Sequence, residues 1–156
     1  IYLNLDKQIT YVYKGSNNNW NLIKEFISST GIDGKETPKG IFSVTNRGDW
    51  FYSEEFEQGA KYWVQFMGDY LFHSIPFDES QENIVDYTLG KPASHGCIRL
   101  AVEDAKWLYD NIDNNTKVNI KIEEVYDAMR KGILPKTSQV APSQITTVFS
   151  LIEGSR

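Results

Sequence analysis

The sequence predicts a mainly β fold with one or two short helices after its lone cysteine, and three observations carry that prediction. Runs in which apolar and polar residues alternate fill the first two-thirds of the chain, from Ile1, Leu3 and Leu5 to Tyr70-Leu71-Phe72. Breaks rich in Gly, Asn, Asp and Pro separate these runs at short intervals. Helical spacing of apolar residues begins only at Val102.

Taken in order, Ile1, Leu3 and Leu5 alternate with polar residues, Asp6-Lys7 can turn, and Ile9, Tyr11 and Tyr13 alternate again, so residues 1–14 read as a hairpin. Gly15 to Asn19 form a polar turn, and Trp20 to Ile27 is a third strand. The stretch from Thr30 to Gly40 is too Gly- and Pro-punctuated for a helix. Ile41 to Thr45, Trp50 to Ser53, Ala60 to Met67 and Tyr70 to His73 are further strands, with Asn46-Arg47-Gly48-Asp49 and Gly68-Asp69 as turns. Ser74 to Ala93 is a 20-residue polar loop, long enough inside a compact domain to imply function or mobility. Residues 101–112 form a helix, with Val102, Ala105, Leu108, Tyr109 and Ile112 on one face and acids near its start. Lys117 to Ile122 reads as a strand and Glu123 to Lys131 as a short helix stopped by Gly132. Residues 1–134 are expected to form one domain, and 135–156 a C-terminal extension or tail, with Thr146 to Ile152 an optional strand.

The 156 residues, 40% hydrophobic and 13% aromatic, suffice for one ordinary core. No apolar run approaches the roughly 20 residues that cross a bilayer, and the chain opens on a strand pattern without a basic and apolar leader, so a soluble body without membrane contact is expected. With 16 basic against 21 acidic residues and no basic block, nucleic acid is excluded as a partner. A single cysteine excludes an internal disulfide framework.

The chemistry gathers in Ser94-His95-Gly96-Cys97-Ile98-Arg99-Leu100, which holds the only cysteine and one of two histidines. A thiol attacks as thiolate and needs a base beside it. If the segment is extended, His95, Cys97 and Arg99 share a face, and Gly96 lets backbone N–H groups point at a reacting carbonyl. His73, at the end of a separate strand, is the better base, because it can approach the thiol side-on; Ser74 then orients its ring or faces solvent. Two readings compete: zinc held by His73, His95 and Cys97, which lacks a fourth protein ligand, and a buried inert thiol between core histidines.

The Ser94 to Leu100 run, with His73 upstream and Asp104-Ala105 downstream, resembles the catalytic signature of the L,D-transpeptidase (YkuD-type) family of bacterial cell-wall enzymes. Thr37-Pro38-Lys39-Gly40-Ile41-Phe42, Phe72-His73-Ser74 and Leu89-Gly90-Lys91-Pro92-Ala93 are similar to stretches recurring there, so the resemblance covers residues 1 to about 122. It implies a β-rich, sandwich- or barrel-like catalytic domain acting on peptidoglycan tetrapeptide stems. Cys97 attacks, terminal D-Ala leaves, and a neighbouring stem amine takes the acyl group to give a 3→3 cross-link. Carried over, Cys97 is nucleophile, His73 base and acid, and His95 and Gly96 with Cys97 shape the oxyanion site. Ser74 joins the catalytic set, while Arg99, Ser94, Tyr62 and Trp50 are assigned to substrate. The resemblance further implies acylation by carbapenem-type β-lactams and a place outside the cytoplasm at a bacterial cell wall or surface; no metal or other cofactor is expected, because the energy of the new amide comes from the amide broken, and a monomer is expected. An L,D-carboxypeptidase with the same Cys-His pair and a silent peptidoglycan-binding module are the alternatives. The 74–93 loop is longer than the family's usual one, and residues Arg47 to Gly59 occupy the place of a mobile lid. Tyr62 and Trp63 admit a core place as readily.

Overall fold

The computed structural model describes residues 1–122; the predicted helix from Glu123 to Lys131 and the extension 135–156 lie outside the described residues. Nine strands and one helix follow in chain order: β1 (Tyr2–Asn4), β2 (Ile9–Ser16), β3 (Asn19–Ser29), β4 (Gly40–Ser43), β5 (Asn46–Ser53), β6 (Gln58–Met67), β7 (Tyr70–Ser74), β8 (Ile98–Leu100), α1 (Val102–Asn111) and β9 (Lys117–Lys121). The strands form one sheet in the order β4-β9-β1-β2-β3-β8-β7-β6-β5.

The predicted first hairpin forms in register, Leu3 opposite Thr10, and Asn17 and Asn18 with φ of 49° and 65° make the tight turn into β3. The sheet curls so that strands near its two ends meet. Phe42 on β4 packs on Phe66 of β6 at 5.5 Å between ring centroids, and the Thr45 N–H donates to the Gln65 carbonyl at 2.9 Å. Inside the curl, Leu3, Val12, Phe72, Ile98, Leu100 and Ile120 are buried, which is why these strands alternate as they do. Helix α1 buries Ala105 and Leu108, and its Trp107 meets Phe26 edge-on at 5.8 Å.

One expectation is revised by long-range pairing. Asn46 to Asp49 belong to β5 and are not a turn: Asn46, Arg47 and Gly48 pair with Gln65, Val64 and Trp63. Gly48 suits this place because a Cβ there would stand 2.4 Å from the Trp63 ring. The 74–93 loop is tied down along its length. Phe77 exchanges two 2.8 Å hydrogen bonds with Gly59, Gly90 N–H donates to the Ser28 carbonyl at 2.9 Å, and Ala93 and Ser94 both donate to the Thr30 carbonyl. Arg99, 4% exposed, fixes its middle through a 2.6 Å ion pair with Asp86. A hydrogen bond from the Thr88 hydroxyl, helped by Arg99, holds that carboxyl down to about 2.

Candidate active site

The region around Cys97 is built by two strands and a turn. β8 lies between β3, to which it is antiparallel, and β7, to which it is parallel, with His73 opposite Arg99 and Phe72 opposite Ile98. That register sets His73 beside Arg99, and the Leu71 backbone hydrogen-bonds the Cys97 thiol, so the strand that carries the imidazole also touches the sulfur.

Extended backbone starts only at Ile98, so the strand alternation that would line up His95, Cys97 and Arg99 does not run through this turn. His95 is exposed, Cys97 half-buried and Arg99 buried on the Asp86 carboxylate. The turn before β8 is held from inside: the Ser94 hydroxyl donates to the Cys97 carbonyl at 2.5 Å and accepts the Gly96 N–H at 3.1 Å. From outside, buried Thr37 donates to the Gly96 carbonyl at 2.7 Å and accepts the Gly31 N–H at 3.0 Å. Gly96 has φ of 124°, and a Cβ there would lie 2.6 Å from the Tyr70 ring. Gly96→Ala should therefore cost roughly 2 kcal/mol or more of stability. Thermal unfolding measures it, and Tyr70→Ala in the same chain should restore part of the loss by removing the clash.

His73 is 6% exposed. Its Nδ1–H donates to the Ser74 carbonyl at 2.6 Å, which fixes the tautomer and leaves Nε2 with the free lone pair. Burial pushes this imidazole down to about 4, against the Ser74 hydrogen bond and with help from the Arg99 charge, so it is neutral near pH 7. The Ser74 hydroxyl itself donates to the Ile75 carbonyl and accepts the Lys61 N–H; the carbonyl, one bond away, holds the ring.

Burial also raises the Cys97 thiol above its ordinary value. A backbone hydrogen bond from Leu71 and the Arg99 charge oppose the rise, while Asp69 adds to it. The resting pair is thus thiol and neutral imidazole, with the S–H donated to the Asp69 carbonyl at 3.4 Å.

The β5–β6 hairpin reaches over this face. Phe51 meets the His73 ring edge-on at 5.4 Å, and Phe56 at the tip stacks on His95 at 4.1 Å with planes 8° apart. Trp50 instead lies against Gly59, where a Cβ would stand 2.4 Å from its ring, and Tyr62 packs on Tyr109 of α1 at 5.8 Å. Phe51 and Phe56 carried only the general signal of aromatics in an acidic turn, and Thr37 only its place in a recurring stretch. Among the described residues no group of three or more His, Cys, Asp or Glu side chains is placed to hold a metal.

Comparison with known proteins agrees with this geometry. Residues 1–120 match the model of the YkuD family, the L,D-transpeptidase catalytic domain. A Bacillus subtilis (strain 168) protein, YciB, itself named provisionally as an L,D-transpeptidase, is 44% identical over 128 residues, covering 77% of this chain and 64% of that protein. A solved fused zinc-dependent amidase/peptidase and peptidoglycan-binding-domain protein of Clostridium acetobutylicum ATCC 824 is 41% identical with a TM-score of 0.65, over 77% of this chain and 50% of its own. The L,D-transpeptidase LdtMt1, solved in complex with imipenem, shares the fold with a TM-score of 0.61 at 19% identity, over 77% of this chain and 57% of its own. The chain thus spans between half and two-thirds of the length of these relatives. The family match over residues 1–120, with a relative 44% identical over 128 residues, makes this chain a member of the YkuD L,D-transpeptidase catalytic-domain family.

Proposed function

We propose that this domain forms 3→3 cross-links in peptidoglycan through a thioester on Cys97. The observation that carries the reading is the anchoring of His73, whose Nδ1–H is committed to the Ser74 carbonyl so that Nε2 is the one basic nitrogen on the strand beside the thiol. In the first half-reaction His73 Nε2 takes the thiol proton as sulfur attacks the carbonyl of the third stem residue. The tetrahedral intermediate then expels terminal D-Ala, whose nitrogen receives that proton. In the second, a neighbouring stem's amine attacks the thioester, His73 accepts its proton, and the thiol returns. The Gly96 and Cys97 N–H groups serve the oxyanion, Gly96 exchanging the Ser94 hydroxyl for substrate.

Carbapenems acylate the same sulfur in this reading, supported by the imipenem complex of a structural neighbour. Because a lactam opens without a leaving group, the protein gains the inhibitor's full mass. The substrate places the protein outside the cytoplasm, at the wall of a bacterium.

Mass spectrometry of products from tetrapeptide stems of defined sequence tests the proposal. Cross-linked dimer with free D-Ala is the expected result. Tripeptide and D-Ala without dimer would make the domain a carboxypeptidase, and unchanged stems with no acylation by a carbapenem would leave only a binding module.

A further inference from the structure

A row of polar side chains crosses the face of the sheet turned away from the core. Phe72 of β7 and Ile98 and Leu100 of β8 point into the core, so His73 and Arg99, which alternate with them and lie opposite each other, project to the other side. Ser29 of β3, opposite Arg99, extends the row, and its hydroxyl donates to the Thr88 carbonyl at 3.3 Å, which lays the 86–88 segment of the loop over this face. There three donors hold the Asp86 carboxylate: the Thr88 N–H at 2.9 Å and hydroxyl at 2.7 Å on one oxygen, and Arg99 Nη1 at 2.6 Å on the other. Arg99 and His73 are both buried, so little water screens one from the other. The remaining elements around His73 bring the Cys97 thiol, from the turn before β8, the neutral Phe51 ring, from β5, and Lys61, from β6, whose ammonium lies over the Phe77 ring at 4.3 Å. Helix α1 packs on the core side through Ala105 and Leu108. A proton taken up by His73 therefore makes an imidazolium beside a permanent guanidinium. With Asp86 in place a single net positive charge results; without it two would share the site.

We propose that Asp86 is a positioning residue for the reaction: its carboxylate holds and balances the Arg99 guanidinium, so that His73 beside it can take the thiol proton. The inference rests on the acyl-transfer reading above. As the Cys97 sulfur bonds the carbonyl carbon, its proton passes to His73 Nε2, and the imidazolium gives that proton to the departing nitrogen of D-Ala. The carboxylate stays ionised throughout, since the Thr88 hydrogen bonds and Arg99 hold it down to about 2. Asp86 acts through Arg99, whose charge already weighs against protonation of the ring.

The test titrates the imidazoles by NMR in the unaltered chain, Asp86→Asn, Arg99→Met and the double variant, alongside the rate of carbapenem acylation at Cys97. The chain has two histidines, so His95→Ala identifies the signals of His73. Asp86→Asn keeps an oxygen for the Thr88 donors but leaves the guanidinium unbalanced. His73 should then titrate lower than its value of about 4 in the unaltered chain. Acylation at pH 7 should slow about three- to tenfold, as for a base weakened by about one unit. A merely structural role predicts the opposite titration, because a loosened loop lets water reach the ring and raises it toward the ordinary imidazole value. Arg99→Met should raise the His73 titration, and adding Asp86→Asn to it should change little. Asp86→Glu, which keeps the charge, should recover most of the lost rate. A His73 titration that stays or rises in Asp86→Asn overturns the role, and so does a full effect of Asp86→Asn in the Arg99→Met background. If Asp86→Asn does not fold, an unmoved His73 in Arg99→Met overturns it equally. If a carbapenem does not acylate the unaltered chain, the acyl-transfer reading fails and this role with it. The titrations read the charge coupling without any reaction, which keeps the two failures apart.

Discussion

With Cys97 replaced by alanine, incubation with a carbapenem leaves the protein at its unmodified mass, and tetrapeptide stems are recovered unchanged. The loss should be complete because nothing can stand in for the sulfur. The chain has one cysteine, and the nearest hydroxyl in the motif, Ser94, is buried with its oxygen bound to the Cys97 carbonyl and the Gly96 N–H. The fold should survive the change, since Cys97 is only half-buried and its hydrogen bonds, to the Asp69 carbonyl and with the Leu71 backbone, are weak sulfur contacts. Circular dichroism and thermal unfolding close to those of the unaltered chain would show this. A carbapenem adduct on the Cys97→Ala protein would place the nucleophile elsewhere and end the thioester mechanism.

His73→Ala should slow acylation by about 10² or more, within the 10² to 10⁴ typical of general base catalysis. The effect is large because the resting thiol is protonated and no ion pair is preformed, so a base must take the proton during attack, and the Asp69 carbonyl that holds it is not basic. His95→Ala separates the two histidines. His95 is exposed against Phe56, so its loss should disturb the hairpin's closure more than proton transfer. A larger loss there than in His73→Ala would exchange their roles. The pH profile follows from the same pair. His73 is depressed to about 4 by burial, so its neutral form, and the activity, persist as pH falls below the ordinary imidazole range and fail as pH drops through about 4. The alkaline limb should lie above the ordinary thiol value, because Cys97 is raised. These apparent values belong to the pair, so the profile alone does not separate neutral pair from ion pair. Ultraviolet absorbance does: a thiolate signal between the two limbs, lost in Cys97→Ala, would show an ion pair and remove the neutral resting state.

Much of the fold was legible because its signals are local. The first hairpin, β6, β7, α1 and β9 all sit within a residue or two of where alternation and helical spacing set them, since each buries one face on a shared core. The Asn46 to Asp49 stretch misled because its residues favour turns, yet their pairing with β6 and the Trp63 ring over Gly48 outweigh that preference. The extended reading of His95 to Arg99 misled for a related reason. Thr37, 59 residues away from Gly96, and the Tyr70 ring fold those residues into a turn that no local pattern announces.

The sequence by itself determined the chemical inventory: one thiol, two imidazoles, their order along the chain, the family signature and a β-rich body to carry them. Those follow from residue identity and short-range periodicity. Only the tertiary structure decided what each group does. It buried His73 and turned its Nδ1 to a carbonyl, raised the thiol and set it on the Asp69 backbone carbonyl, tied Arg99 to Asp86, and laid Phe51 and Phe56 over the histidines. Burial, tautomer and charge proximity are set by neighbours distant in sequence, so they exist only once the sheet has closed.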